Sequence, residues 1–223
     1  PNVYTIDKGL LPPCRLTCPA RVNVQGYVAL ISQGKFKEAV ALIRQRHPLP
    51  SVCGRICAHP CEAHCRRGKL DEPISIRALK RTLTERHGVE NTVSGLAPEE
   101  PLPLGVAVRV DGQPARIAVV GAGPAGLACA HDLAFLGYSV TVFDGATAAG
   151  GMLYQGVPEY RLPRDIIRAE VERVLRMGVE LRLEWRLGRD FTIADLRRNG
   201  FHAVFLALGA SRYGDKSVAL AVL

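Results

Sequence analysis

Six of the seven cysteines crowd into the first third of the chain. Thiolates are soft ligands that suit iron–sulfur clusters or zinc, and in a reducing compartment such crowding favours metal ligation over disulfides. A C-x3-C-P segment is followed by four cysteines with three residues between each and the next, whereas zinc sites usually use C-x2-C pairs. The pattern therefore favours iron–sulfur over zinc, and the candidate ligands are Cys14, Cys18, Cys53, Cys57, Cys61 and Cys65.

A glycine-rich turn in the second half has the spacing of a dinucleotide-binding fingerprint. It follows an apolar strand pattern and opens a helix pattern, which is the context that the motif requires. Its first glycine permits a tight turn, its second lets the backbone approach a pyrophosphate, and its third lets the helix pack on the strand. The helix N-terminus then offers free N–H groups to phosphate oxygens. The six residues are Gly121, Ala122, Gly123, Pro124, Ala125 and Gly126.

Asp144 ends the next predicted strand, about twenty residues further on, where a carboxylate bonds ribose hydroxyls. An acidic residue at this position favours FAD or NAD over NADP. The alternative is a structural glycine turn that binds no nucleotide. Cys129, in the intervening helix, is interpreted as a buried and unreactive thiol.

The elements that must position these residues differ between the two halves of the chain. Helical periodicity and capping residues predict helices over 23–34, 36–47 and 74–86, and a connector rich in Pro and Gly follows over 91–115, with a short strand at 106–110. From residue 116 strands alternate with helices, which predicts a parallel sheet with right-handed crossovers. The predicted strands are 117–120, 139–143, 179–185 and 203–208, and the predicted helices are 124–136, 164–177 and 193–199.

The predicted fold class is therefore α plus α/β. An all-helical iron–sulfur domain with its connector covers 1–112, and a partial Rossmann-type parallel-sheet FAD domain covers 113–223. The net charge of +8 comes mostly from arginine and indicates a solvated basic surface or an acidic partner. No nucleic-acid-binding signature, signal peptide or apolar run of ~20 residues is present, so we expect a cytoplasmic protein without a membrane span.

A loop after the second Rossmann strand carries a family resemblance. It reads Gly150-Gly151-Met152-Leu153, then Gly156-Val157-Pro158-Glu159-Tyr160-Arg161-Leu162-Pro163. The sequence of this loop resembles that of the small (beta) subunit family of glutamate synthase. The same flavin module occurs in dihydropyrimidine dehydrogenase and in electron-bifurcating transhydrogenases. The resemblance implies that the loop wraps FAD rather than NAD. It implies FAD contacts for Gly151, Met152 and Arg161, a position beside the adenine for Leu187, and a second approach to the flavin nucleotide at Gly209, in the turn Ala207-Leu208-Gly209-Ala210.

The cysteine-rich half is similar to the helical iron–sulfur domain that precedes this flavin module. The resemblance implies that Cys18, Cys57 and Cys61 ligate one 4Fe–4S cluster, and that Cys14 and Cys65 ligate another. The sequence departs from the family at three positions: Ile6 and Gly9 replace its two earliest cysteines, and Lys80 replaces a glutamine or acidic ligand. We therefore expect one cluster, held by Cys18, Cys57, Cys61 and Cys53; the alternative is that Cys14 and Cys65 complete a second site.

The resemblance implies an oxidoreductase subunit that moves electrons between FAD and the cluster and works with other subunits of a redox complex. No residue is assigned as a catalytic acid, base or nucleophile. The family's second, NADPH-binding fingerprint has no counterpart here, so the prediction is a fragment or a subunit that a partner completes. Two alternatives stay open, namely a subunit that holds only the cluster and a zinc-stabilised binding module.

Overall fold

The chain folds into two units, Pro1–Pro98 and Glu99–Leu223, and each is described by itself. The computed structural model describes residues 11–91 and 105–209. Ile6, Gly9 and Ala210, which the family resemblance named, lie outside the described residues. The predicted domain boundary at residue 112 stays a prediction.

The first unit is helical throughout its described part. The side chain of Asn23 accepts a hydrogen bond from the backbone N–H of Gly26 at 3.1 Å and so caps the second helix, as the sequence predicts. Gly34 follows that helix with φ +73°, a conformation that glycine adopts at little cost. The helices are α1 (Pro13–Leu16), α2 (Val24–Ser32), α3 (Phe36–Arg44), α4 (Pro50–Ile56), α5 (Pro60–Ala63) and α6 (Ile76–His87), with a 3₁₀ turn at Arg66–Lys69.

The second run of cysteines lies on two short helices and at their ends. Pro50 begins α4, because a proline at the first helical position loses no hydrogen bond. Pro60 begins α5 in the same way. As a result Cys53 lies inside a helix and Cys57 ends it.

The core of the first unit packs the longer helices against one another. Tyr27 is fully buried at its centre, and its hydroxyl donates a hydrogen bond to the carbonyl of Ile76 at 3.4 Å. Helix α4 lies close against α6, since a Cβ added at Gly54 would be only 3.1 Å from the Cα of Arg81. The buried side chains of this core are Val22, Val24, Tyr27, Ala39, Val40, Ile43, Ile76 and Leu83.

The second unit has a four-stranded parallel sheet with the strand order β5-β4-β3-β6, preceded by a small antiparallel β1–β2 hairpin. The central strands are the ones predicted. The predicted strand at 106–110 is reduced to its last two residues, and the last two sheet strands are shorter than predicted. The elements are β1 (Arg109–Val110), β2 (Gln113–Pro114), β3 (Arg116–Val120), α7 (Pro124–Leu136), β4 (Ser139–Phe143), α8 (Met152–Gln155), α9 (Arg164–Arg176), β5 (Glu180–Arg182), α10 (Ile193–Arg198) and β6 (Ala203–Leu206).

Both faces of this sheet are covered, which explains the continuous apolar strands. Val119 of β3 packs on the side of α7 and α9, and its neighbours Ala118 and Val120 pack on the opposite side. There, Phe143 lies 5.1 Å from Phe191, measured between ring centroids. The fold class predicted from the sequence, a helical part followed by a parallel-sheet Rossmann-like part, is confirmed.

Candidate functional site

The fingerprint turn has the geometry that its three glycines require. Gly121 has φ +114°, and a Cβ there would lie 2.2 Å from the carbonyl oxygen of Ala207. A Cβ at Gly126 would lie 1.8 Å from the carbonyl oxygen of Gly121, so the start of α7 packs directly on the end of β3. Gly123 differs, because the nearest atom to its added Cβ is the Cα of Gly151 at 3.9 Å. The turn is therefore closed on its protein side and open at Gly123.

A second glycine pair crosses over this turn. The backbone N–H of Gly150 donates to the carbonyl of Ala122 at 2.8 Å. Gly151 has φ +51°, and a Cβ there would lie 2.8 Å from the Cα of Gly123. A side chain at position 151 would therefore not fit against the backbone of the turn. The loop that the resemblance assigns to FAD therefore packs against the fingerprint turn with direct backbone contacts.

Asp144 lies at the carboxyl end of β4 and is held by two backbone donors. Its Oδ2 accepts from the N–H of Ala122 at 2.6 Å, and its Oδ1 accepts from the N–H of Ala146 at 2.8 Å. A carboxylate retains free lone pairs after two such bonds, so it can still accept from a ribose hydroxyl. The structure therefore joins the acidic residue to the fingerprint turn through a direct hydrogen bond.

The other predicted FAD-contact residues lie on loops of the same unit. Met152 begins α8 and is 61% exposed, and Arg161 is exposed beyond that helix. Leu187 packs partly against the aromatic face of the sheet, and Gly209 has φ +68° at the end of the described chain. Their contacts with a cofactor stay predictions.

Arg164 is a supporting residue that the sequence analysis did not single out. Its guanidinium donates to the carbonyl of Leu153 at 3.1 Å and lies 5.1 Å above the ring of Tyr154. It therefore braces α8, which carries Met152. The only signal in the sequence was an arginine directly after the loop, at the start of a predicted helix.

A groove of about 450 Å³ lies elsewhere in the second unit. It is lined by the loop at 147–149 and by residues of α9, among them Arg168 and Val171. None of the predicted cofactor residues lines it, so this groove is not the predicted nucleotide site.

The six clustered cysteines lie on helices or helix ends of the first unit. Cys14 is in α1 and Cys18 follows it; Cys53 is in α4, Cys57 ends that helix, Cys61 is in α5, and Cys65 precedes the 3₁₀ turn. All six thiols are partly buried, and Cys14, Cys18 and Cys61 pack against the helical core. The seventh, Cys129, belongs to the other unit, where burial raises its pKa to about 11.

The electrostatic interactions of these thiols show which are neighbours. Burial raises the pKa of Cys53 to about 11, and the adjacent Cys57 also raises it. Burial likewise raises the pKa of Cys61, with further contributions from Cys57 and Cys18, and it raises that of Cys14, which interacts with Cys65 and Cys18. The structure thus joins all six thiols in one continuous group.

Tyr27 lies among these thiols. Burial raises the pKa of its hydroxyl, and negative charge on the sulfurs of four cysteines raises it further. The sequence placed Tyr27 in the predicted helix over 23–34, and no sequence pattern linked this tyrosine to the cysteines. The four cysteines are Cys61, Cys53, Cys14 and Cys18.

Hydrogen-bond donors also surround the sulfurs. The backbone N–H of His59 donates to the Sγ of Cys57 at 3.3 Å, and the ring of His59 lies 3.1 Å from a carboxylate oxygen of Glu62. The ammonium of Lys80 lies 3.3 Å from the Sγ of Cys53. Donors to sulfur stabilise the thiolate form that a cluster binds.

The chemistry of these side chains suits an iron–sulfur cluster. The thiols are soft donors, and N–H groups are directed at two of their sulfurs.

In the described part of the chain, every helix is too short or too polar to cross a membrane.

Comparison with known proteins agrees with this geometry. Residues 9–92 match the family described as dihydropyrimidine dehydrogenase domain II, 4Fe–4S cluster, and residues 119–169 match the NAD(P)-binding Rossmann-like domain. These matches confirm the expected order of an iron–sulfur domain and a nucleotide-binding domain. The finer likeness to glutamate synthase stays a prediction.

Three curated relatives show similarity along nearly the whole chain. It is 42% identical over 217 residues to the NADP(+)-dependent formate dehydrogenase subunit beta of Moorella thermoacetica, covering 91% of this chain and 30% of the relative. It is 38% identical over 213 residues to the NADPH-Fe(3+) oxidoreductase subunit beta of Geobacter sulfurreducens, covering 95% and 30%. It is 30% identical over 201 residues to the NAD-dependent dihydropyrimidine dehydrogenase subunit PreT of Salmonella typhimurium, covering 89% and 46%.

The chain thus spans less than half the length of each of these relatives. The similarity includes both the cysteine group and the glycine turn. Residues 9–92 are thus similar to the dihydropyrimidine dehydrogenase domain II 4Fe–4S family, and residues 119–169 of the same chain are similar to the NAD(P)-binding Rossmann-like domain.

Proposed function

We propose that this chain is an iron–sulfur flavoprotein part of an oxidoreductase, which holds one 4Fe–4S cluster and FAD and transfers electrons between them. The observation that carries the proposal is the group of six neighbouring, partly buried thiols in the same chain as a glycine turn joined to Asp144. Thiol ligands for a metal cluster and a dinucleotide-binding turn in one chain are typical of electron-transfer proteins.

The proposed cluster ligands are Cys18, Cys57, Cys61 and Cys53. Their support is the chain of interactions from Cys53 through Cys57 and Cys61 to Cys18. Cys14 interacts with Cys65 and with Cys18, so this pair lies at one end of the group. A second cluster would need ligands besides Cys14 and Cys65.

The proposed nucleotide site uses the turn at 121–126 for the pyrophosphate and Asp144 for the ribose. Gly123 leaves room for a phosphate, and the carboxylate disfavours a phosphorylated ribose. Met152, Arg161, Leu187 and Gly209 are the proposed further FAD contacts, with Gly151 keeping the loop at backbone distance from the turn.

When bound, a flavin accepts electrons in pairs and releases them singly, which suits it to exchange with a one-electron cluster. The protein's own residues bind and orient the two groups. The backbone N–H that donates to the Sγ of Cys57 and the burial of the thiols adjust the reduction potential of the cluster. No side chain is required to transfer a proton.

The proposal includes partner subunits and a cytoplasmic location. The relatives are named as subunits. Six clustered cysteines suit metal ligation in a reducing compartment. The glutamate synthase small chain remains our proposed parallel for the order of the two sites.

The test is to purify the full chain without oxygen and to measure iron, acid-labile sulfide and released flavin per chain. We expect about four irons, about four sulfides and one FAD, with an absorption shoulder near ~400 nm from thiolate-to-iron charge transfer. Iron without flavin would support the subunit that holds only a cluster. Zinc without sulfide would refute the proposal, and bound NAD in place of FAD would refute its flavin part.

A further inference from the structure

Lys80 is a buried lysine that the proposed electron transfer has not yet used. Its side chain is 7% exposed, and its ammonium lies 3.3 Å from the Sγ of Cys53. The other lysines in the described ranges, Lys35, Lys37 and Lys69, are exposed. Burial of an ammonium is costly unless a partner of opposite charge compensates, so its position among thiolates needs an explanation.

The packing of two helices brings this lysine to the sulfur. Gly54 lets α4 approach the backbone of α6, because the nearest atom to its added Cβ is the Cα of Arg81 at 3.1 Å. Cys53 and Lys80 immediately precede these two residues in their helices, so the same contact places them side by side. The pair is therefore part of the helix interface and does not depend on a mobile surface side chain.

Lys80 is thus a buried cation in direct contact with the sulfur of one of the four proposed ligands.

We propose that Lys80 is a positioning residue that orients the Cys53 thiolate and raises the reduction potential of the cluster, without itself ligating iron. The inference rests on the proposed function. A cluster with four thiolates carries net negative charge, and reduction by one electron makes it more negative. A nearby buried cation that donates N–H···S stabilises the reduced form more than the oxidised form.

The test compares Lys80→Met, which removes the ammonium, with Lys80→Arg, which keeps a positive donor. Arg81→Met is the matched control, because Arg81 is the next residue of the same helix but is 52% exposed and paired with Glu85. For each protein, iron and sulfide are counted first. The midpoint potential is then measured by anaerobic titration with dithionite and redox mediators, followed by electron paramagnetic resonance of the reduced cluster.

We expect Lys80→Met to retain iron and to shift the reduction equilibrium at least tenfold toward the oxidised form, about 59 mV more negative for a one-electron couple. Lys80→Arg and Arg81→Met are expected to stay within threefold of the parent. If Lys80→Met does not hold iron, Lys80→Ala takes its place as the uncharged variant without a ligating side chain, and the same negative shift is expected.

An unchanged potential in the uncharged variant that holds iron would overturn the inference and leave the proposed function intact. An equal shift in Arg81→Met would also overturn it, because general surface charge would then explain the effect. Absence of iron and sulfide from the parent protein would overturn both proposals. The two failures are therefore distinguishable.

Discussion

Replacing Gly123 by alanine should weaken nucleotide binding without destabilising the folded protein. Gly123 has φ −77° and ψ −178°, an extended conformation that any residue adopts. Its added Cβ meets nothing closer than the Cα of Gly151 at 3.9 Å, which is an ordinary van der Waals contact. The free protein therefore has room for alanine at this position. The same methyl group would occupy the space through which a pyrophosphate approaches the backbone.

The expected magnitudes follow from these two facts. An unstrained Gly→Ala substitution changes the free energy of unfolding little, or raises it by roughly 0.4–1 kcal/mol, because the unfolded chain loses conformational freedom. The loss of one hydrogen bond to a charged phosphate costs about 1.5–3 kcal/mol. At about 1.4 kcal/mol per factor of ten, the dissociation constant for FAD should rise roughly ten- to 150-fold.

The assay measures both quantities on the same preparations of Gly123→Ala. Thermal unfolding of the flavin-free protein reports stability, and calorimetric titration with FAD reports affinity. Gly178→Ala is the control, since Gly178 has φ +89° with no atom within 4 Å of an added Cβ. That change should cost about 1–2 kcal/mol through left-handed strain, lower the Tm by several degrees and leave FAD affinity unchanged.

One result would refute the reasoning outright, namely Gly123→Ala with the affinity of the parent for FAD. The fingerprint would then be a structural turn, and the nucleotide, if any, would lie elsewhere in the unit. Loss of stability without loss of affinity would show that the space around Gly123 is not open.

Three further predictions concern stability, metal content and thiol reactivity. Gly126→Ala should destabilise the second unit by more than ~3 kcal/mol, because its Cβ would lie 1.8 Å from a carbonyl oxygen, and a chemical denaturation midpoint equal to that of the parent would contradict this close packing. Cys57→Ser should lose most of its iron, whereas Cys129→Ser, in the other unit, should keep all of it; equal iron content in the two would remove Cys57 from the ligand set. In the metal-free protein at pH 8, iodoacetamide should alkylate Cys65 well before Cys53. Backbone N–H groups, led by that of Ile74, lower the pKa of Cys65, whereas burial raises that of Cys53 to about 11, so the thiolate fraction of Cys65 is the larger of the two. Peptide mass spectrometry over time would reveal the opposite order if these environments were wrong.

Local patterns were sufficient to predict most of the fold. Apolar strands, the Asn23 cap and the glycine helix ends predicted α2, α7 and the central strands, because these signals act within a few residues. The fingerprint and Asp144 were found in the same way, and the structure links them by a hydrogen bond of 2.6 Å. Helix α4 was not predicted, because the proline that begins it is equally compatible with a loop after the preceding helix.

The sequence by itself therefore determined the two kinds of unit, the type of chemistry that their residues suit and the local geometry of the glycine turn. Tertiary structure alone decided which distant residues meet: Lys80 with Cys53, Tyr27 with four thiols, and Gly151 with Gly123. These contacts join residues 9 to 34 positions apart along the chain, and none of them follows a sequence period. Such pairs arise because helices and loops pack to bury apolar surface, and packing of that kind depends on the whole unit rather than on any short segment.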